Sequence, residues 1–240
     1  MKKNIYILSI IISLMSLHSC ETDNYSTPDA TVSGKILDHE GNQMELEQGS
    51  TSMVIRMLEE GFATPTPFDL NVMQNGTYIN NKIFAAKYKM IPVFGPFYNT
   101  SDTMKVDIKG SVTVNFKVTP YLKVEWITPP YATADGKIEA KFKFTRIQPP
   151  AESNQTMPNI LDYQLFIGLT QYVGNNNFDN LVVNPVVSAT NSMEGKTLTI
   201  TAKTAMRFSH DYYVRIGVRV NDANKKYNYT DIKVVSVKLP

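Results

Sequence analysis

The sequence IEAKFKFTR, at residues 138–146, alternates apolar and polar side chains from Ile138 to Thr145. A two-residue period gives a strand one buried and one hydrated face, which is typical of antiparallel sheets. The same period recurs in VTVNFKVT at residues 112–119 and in DYYVRIGVRV at residues 211–220. In the last stretch the period places Arg215 and Arg219 on the hydrated face. Because no segment has a sustained helical period, the sequence predicts an all-β protein.

The turn residues outside these stretches indicate two domains. Gly, Pro, Asn and Asp separate short candidate strands from residue 30 onward, as they do in β-sandwiches. Asn75-Gly76 is a strong hairpin signal, because both positions of the turn need a positive φ. A break at Thr119-Pro120 leaves roughly six candidate strands on each side. We therefore predict two consecutive antiparallel β-sandwich domains, at residues 30–119 and 120–240.

Composition excludes several classes of function. The 240 residues are 42% hydrophobic, so the chain can bury a core. Lys and Arg number 24 against 22 Asp and Glu, and this balance argues against a nucleic-acid partner, which requires a basic surface. Three histidines and one cysteine exclude a disulfide scaffold and leave few ligands for a metal. We expect no metal and no cofactor.

The first nineteen residues have the order of a secretory signal peptide: basic Lys2 and Lys3, a short apolar run, and then small residues. The run is too short to span a bilayer comfortably. Leu17-His18-Ser19-Cys20 resembles a bacterial lipobox, which implies removal of residues 1–19 and acylation of Cys20. The alternative is a chance thiol at an ordinary cleavage site. Residues 20–29 are polar and aperiodic, and we expect them to form a flexible tether.

Two further resemblances concern the folded part. VSGKILD at residues 32–38, NGTY at 75–78 and AKYK at 86–89 resemble the carboxypeptidase-regulatory-like β-sandwich, although Ala85 and Ala86 replace its usual glycine. Such domains are accessory modules, so the resemblance implies no active site. DYYVRIGVR at residues 211–219 and YNYT at 227–230 resemble the last hairpin of a fibronectin-III or immunoglobulin-like sandwich.

Taken together, the lipobox, the tether and the two sandwiches resemble a family of Bacteroidetes surface lipoproteins. Those proteins are typically encoded beside outer-membrane glycan importers of the starch-utilisation type. The resemblance implies a lipid-anchored outer-membrane protein at the cell surface, although the face of the membrane stays open. The implied partners are an oligosaccharide or polysaccharide, the importer and its surface binding subunit.

No motif indicates an enzyme. His39-Glu40 begins like a zinc-protease motif, but Gln43 occupies the position of the second histidine. No G-x-S-x-G nucleophile elbow is present in the sequence. A glycosidase needs two converging carboxylates, and the sequence alone does not exclude such a pair among 22 acidic residues. We predict a non-catalytic protein.

Aromatic side chains are the candidate binding residues, since rings stack on the apolar faces of sugars while their polar tips remain hydrated. Trp126 and Tyr131 flank Pro129-Pro130, although Trp126 is also typical of a sandwich core. Further candidates lie in Gly- and Asn-rich loops: Phe97, Tyr98, Tyr172 and Phe178. Asp102-Thr103-Met104 resembles a short O-glycosylation signal of this bacterial group, which implies modification of Thr103.

The sequence thus predicts a non-catalytic, lipid-anchored protein that binds glycan or assists a glycan importer. Two other classes stay open. One is a structural subunit that docks onto a transporter complex, and the other is a β-sandwich glycosidase or lyase.

Overall fold

The computed structural model describes residues 26–49, 52–100 and 103–239. Over these residues the chain forms sixteen strands and one short 3-10 helix, Asn191–Met193. The first eight strands are β1 Ala30–Leu37, β2 Val54–Glu59, β3 Phe68–Asn71, β4 Thr77–Ile83, β5 Ala86–Val93, β6 Met104–Ile108, β7 Ser111–Thr113 and β8 Phe116–Lys117. The others are β9 Leu122–Ala132, β10 Ile138–Arg146, β11 Ile160–Gly168, β12 Val187–Ser188, β13 Leu198–Thr201, β14 His210–Val220, β15 Tyr227–Tyr229 and β16 Lys233–Val237.

The N-terminal domain packs two sheets face to face. One has the order β4-β1-β7 with β8 also paired to β1, and the other has the order β3-β2-β5-β6. Their alternating apolar residues form one buried cluster that includes Ile36, Ile55, Met57, Met90 and Ile108. Gly34 is required here because a Cβ at this position would lie 1.7 Å from the carbonyl oxygen of Val114.

The C-terminal domain packs sheet β13-β10-β9 against sheet β12-β11-β14-β15, with β16 also paired to β14. The alternation that defines residues 138–146 is reproduced, since Ile138, Ala140, Phe142 and Phe144 are all buried. Ile138, Phe142 and Phe144 belong to a second core cluster, which also contains Leu165, Ile167, Val214 and Ile216 from the opposite sheet. The prediction of an all-β chain with two sandwich domains is confirmed.

Two local expectations are wrong. Gly76 has a positive φ of 73° and the turn forms, with the Met73 amide donating to the Thr77 carbonyl. However, β3 and β4 then join opposite sheets instead of one hairpin, because β4 pairs with β1 and β3 with β2. The strand expected from the alternation at residues 112–119 is also divided, and its pieces β7 and β8 run parallel to β1.

Among the described residues there is no helix long and apolar enough to cross a membrane. The signal peptide, Cys20 and most of the tether lie outside the described residues.

Candidate functional site

The two domains are joined by a buried polar network. Arg215 on β14 is 0% exposed, although strand alternation placed it on the hydrated face, and that expectation is wrong. The N-terminal domain covers this face of the sheet, so the guanidinium Nη1 donates to the Leu46 carbonyl at 2.8 Å. Its Nη2 lies 3.8 Å from Glu47 Oε1, and its Cζ lies 3.6 Å from the centre of the Tyr229 ring. Burial lowers the pKa of Arg215, while Tyr229 and Glu47 oppose this effect.

Glu47 is the acceptor at the centre of this network. Its carboxylate accepts the Asn175 amide at 2.9 Å and the hydroxyl of Tyr229. Burial raises the pKa of Tyr229 strongly, with a further contribution from Glu47. The neutral phenol therefore stays a donor, and one carboxylate links a segment of the first domain to two elements of the second.

A loop after β5 makes a second connection between the domains. Phe97 packs in the N-terminal core and bridges to Pro120, while Tyr98 packs in the C-terminal core. The hydroxyl of Tyr98 donates to the Ile147 carbonyl at 2.8 Å. Because both rings are only 2% exposed, they hold the junction together and are not available for stacking on a sugar. The structure removes these two residues from the candidate binding site.

The exposed ring of this loop is Phe94, at 45%. Its φ of +65° is rare for an aromatic residue. The Arg56 guanidinium lies 5.1 Å from its centre and also pairs with Asp69 at 2.8 Å.

A polar cleft of about 410 Å³ opens beside the junction. Its lining includes Asn42, Glu45, Lys123 and Asp231 from both domains. Burial raises the pKa of the Glu45 carboxyl, and Asp231 raises it further, while Arg215 acts in the opposite direction. The described residues contain no group of three or more His, Cys, Asp or Glu that could hold a metal ion.

The outer face of sheet β13-β10-β9 presents the best-defined ring. Tyr131 on β9 lies directly opposite Glu139 on β10, which lies opposite Thr201 on β13. The Tyr131 hydroxyl donates to Glu139 Oε1 at 2.5 Å, and the Thr201 hydroxyl donates to Glu139 Oε2 at 2.9 Å. These bonds hold the ring in place while it remains 41% exposed. The hydrogen bond to Glu139 raises the pKa of Tyr131 and lowers that of Glu139.

Polar side chains continue this face in two further cross-strand rows. Thr128, Lys141 and Thr199 form the second row, and Glu125 pairs with Lys143 in the third. We call these eight side chains, from Tyr131 to Lys143, the Tyr131 face: Glu125, Thr128, Tyr131, Glu139, Lys141, Lys143, Thr199 and Thr201.

Two irregularities of β9 decide which residues reach this face. The register shifts once between Lys141 and Phe142 and once between Glu139 and Lys141, and each shift adds one residue to β9. A bulge turns the side chains that follow it toward the other face. It also interrupts the hydrogen-bond ladder, so Pro129 and Pro130, which have no N–H to donate, are tolerated there. Because one added residue reverses the alternation of side chains between the two faces, two added residues restore it. Tyr131 therefore lies on the same face as Glu125.

Trp126 lies on the opposite side of β9, where it packs against the C-terminal core. Its indole N–H donates to the Asp231 carbonyl at 3.1 Å. Phe178 is half-buried and makes an edge contact with Phe166, with ring centres 5.4 Å apart. Tyr172 is 49% exposed and lies beside Gln171, whose carbonyl accepts the Gln74 side chain at 2.7 Å. The structure thus does not bring Tyr172 and Tyr131 into one site.

Thr103, the candidate for O-glycosylation, is exposed next to the start of β6. Cys20, the candidate for lipidation, lies outside the described residues.

Solved structures with the same fold come from Bacteroides and Parabacteroides species. A DUF3823 family protein from Bacteroides uniformis ATCC 8492 is 24% identical, with a TM-score of 0.76 over 88% of this chain and 100% of that chain. A DUF3823 family protein from Parabacteroides merdae ATCC 43184 is 20% identical, with a TM-score of 0.71 over 88% and 100%. Another structure from Bacteroides uniformis ATCC 8492, described as a "putative carbohydrate binding protein", is 24% identical, with a TM-score of 0.65 over 87% and 99%.

No curated protein matches the chain. Two family models do. Residues 30–119 match the N-terminal domain of the protein of unknown function DUF3823, and residues 126–234 match the domain of unknown function DUF3823_C. Between them these models cover most of the sequence, in the order in which the two sandwiches fold. The chain therefore belongs to the DUF3823 family and carries both of its domains.

Proposed function

We propose that this protein is a non-catalytic glycan-binding protein that is anchored in the outer membrane through lipid on Cys20. The observation that carries the proposal is the row Tyr131–Glu139–Thr201, in which an exposed ring is held by hydrogen bonds on a polar sheet face. A ring fixed in this way loses little conformational freedom when a ligand stacks on it, so the cost of binding is reduced.

The composition of the Tyr131 face suits a hydroxylated ligand. A pyranose presents C–H groups to the ring of Tyr131 and hydroxyls to its edge. Thr128 and Thr199 supply hydroxyls that donate and accept, and the Lys141 ammonium between them donates only. Three such rows across the sheet suit an extended oligosaccharide better than a single sugar.

The position of the face supports capture at a distance from the membrane. Strand β9 begins at Leu122, two residues after the junction residue Pro120, and carries Tyr131 about 30 Å along the strand. The buried Arg215–Glu47 contact stabilises the arrangement of the two domains. A tethered module of this kind raises the local concentration of a glycan near an importer. The relative whose description names carbohydrate binding has the same fold, which agrees with this proposal.

Isothermal titration against a panel of plant and host polysaccharides tests glycan binding. For a glycan that binds, Tyr131→Ala should weaken the affinity about tenfold, since burying an aromatic side chain contributes at least this much. Tyr131→Phe keeps the ring but loses the hydrogen bond to Glu139, so its affinity should lie between those of the unmodified chain and Tyr131→Ala. Tyr172→Ala is the matched control, because Tyr172 is similarly exposed but lies elsewhere, and it should bind like the unmodified chain.

Two other results would contradict the proposal. Flat titrations across the panel, together with recovery of transporter subunits in a pull-down, would favour a structural docking subunit. New reducing ends or unsaturated sugars in the same mixtures would show an enzyme.

Lipid attachment is tested separately by mass spectrometry of the protein purified from its own membrane. We expect a chain that begins at an acylated Cys20. An intact leader or an unmodified thiol would refute the anchor while leaving the binding face untouched.

A further inference from the structure

The end of the N-terminal sandwich at which β1 begins is unusually apolar. Phe62 is 63% exposed, and Phe68 and Phe84 are each 47% exposed. Phe68 and Phe84 border a cleft of about 270 Å³ that leads between the two sheets to Met57 and Tyr88. We call this region, made of Phe62, Phe68 and Phe84, the phenylalanine end.

Two loops with uncharged tips form this end. The loop between β2 and β3 begins with Glu60 and continues as GFATPTP at residues 61–67, and the turn between β4 and β5 reads FA at residues 84–85. Charged side chains lie just behind both tips: Glu59 and Glu60 precede the first, while Lys82 and Lys87 flank the second. Exposing apolar side chains at the tip of a domain to water is unfavourable. A tip of this kind with charged residues next to it suits insertion between lipid headgroups.

The path of the chain brings this end toward any anchor on Cys20. Ala30, the first residue of β1, pairs with Ile83, the residue before Phe84. Nine residues lie between Cys20 and Ala30, and the ten steps from one to the other span at most about 35 Å when the chain is extended. Strand β1 then runs away from this end toward Leu37, which bridges to Gln43 beside the junction cleft.

We infer that the phenylalanine end is a lipid-contacting surface, which inserts into the membrane that carries the Cys20 anchor. The inference rests on the anchor of the proposed function and adds an orientation to it. The N-terminal domain is in contact with the membrane, and this contact fixes its orientation. A tether alone would leave the domain free to rotate above the lipid. The Tyr131 face then lies in the domain farther along the chain from the lipid.

A tryptophan reporter tests this contact without requiring acylation in the cell. In a Trp126→Phe background, Phe84→Trp places the sole tryptophan at the phenylalanine end, and Tyr131→Trp places it on the distant face as the matched control. The chain from Cys20 onward is coupled through its only thiol to maleimide-lipid in phosphatidylethanolamine–phosphatidylglycerol vesicles. The uncoupled chain in buffer is the reference.

We expect the emission of the residue-84 reporter to shift to shorter wavelength on the vesicles and to become shielded from iodide. The residue-131 reporter should show neither change. Phe62→Trp is a second reporter at a more exposed position, for the case in which the first variant folds poorly. In the uncoupled chain, Phe62→Ser with Phe84→Ser should lower partitioning into the vesicles about tenfold or more.

Unchanged emission and quenching at both reporter positions of the phenylalanine end would overturn the inference. So would shielding that appears only at high protein density, because this would indicate a second copy of the chain as the occupant. An unmodified Cys20 in native protein would refute the anchor alone, since the coupled vesicles bypass the cellular reaction.

Discussion

Replacing Glu47 by alanine should lower the free energy of unfolding by about 3–5 kcal/mol, the usual cost of breaking a buried ion pair. Glu47 is buried, and its carboxylate accepts hydrogen bonds from the Asn175 amide and the Tyr229 hydroxyl. Without it, the Arg215 guanidinium keeps only the Leu46 carbonyl at 2.8 Å and the Tyr229 ring as close partners. A fully buried cation is then left without its nearest carboxylate.

The neighbouring Glu45 also stabilises charged Arg215 electrostatically, so a loss near the lower end of this range is expected. The assay is urea unfolding followed by circular dichroism, with a double-mutant cycle that adds Arg215→Met. Removing the stranded cation should recover part of the stability lost in Glu47→Ala, because methionine fills the site without a charge.

The control is Glu40→Ala. Glu40 pairs with Lys123 across the same junction at 3.1 Å, but both side chains are nearly half exposed. Exposed pairs contribute at most about 1 kcal/mol. The reasoning is refuted if Glu47→Ala costs no more than Glu40→Ala, or if adding Arg215→Met to Glu47→Ala lowers stability further.

Three shorter predictions follow from single contacts. Gly34→Ala should cost about 3 kcal/mol or more in thermal unfolding, because the added Cβ meets the Val114 carbonyl at 1.7 Å; a loss below about 1 kcal/mol would contradict this packing. Glu139→Gln should lower the phenol pKa of Tyr131, measured by ultraviolet titration, since the carboxylate raises it; an unchanged titration would show that the hydrogen bond is absent in solution. Burial raises the pKa of Glu45 in the folded chain. The stabilisation that protonated Glu45 gives to the folded state is therefore full below about pH 4.5, and it is lost as pH rises through the folded-state pKa. Glu45→Gln should therefore raise Tm at pH 7 relative to the unmodified chain, with a smaller increase at pH 4. A larger increase at pH 4 than at pH 7 would contradict the raised pKa of Glu45.

Sequence patterns were sufficient to predict the strands and the two sandwiches, because alternation and turn residues depend only on neighbouring positions in the chain. The alternation in residues 138–146 and 211–220 reproduces the buried faces of β10 and β14. Alternation alone does not place Tyr131, which is a candidate because it follows Pro129-Pro130. Its position on the same face as Glu125 depends on two bulges of β9, whose register shifts cancel.

The junction could not be predicted in the same way. Arg215 and Glu47 lie 168 positions apart in the sequence, and a period of two says only that Arg215 points away from its own core. It does not say that another domain covers that face. The Gly-Pro loop that carries Phe97 and Tyr98 has the composition of an exposed loop, yet both rings are buried because the domains meet there.

The central claim is that a glycan binds on the Tyr131 face, and the threonine methyl groups of this face can report on binding by NMR. Thr128, Thr199 and Thr201 lie on the face, whereas Thr170 lies beside Tyr172 near the junction. An oligosaccharide from the titration panel, added to protein with labelled threonine methyl groups, should shift the NMR signals of the first three and leave Thr170 unchanged. Shifts confined to Thr170, with the three sheet threonines silent, would contradict the account.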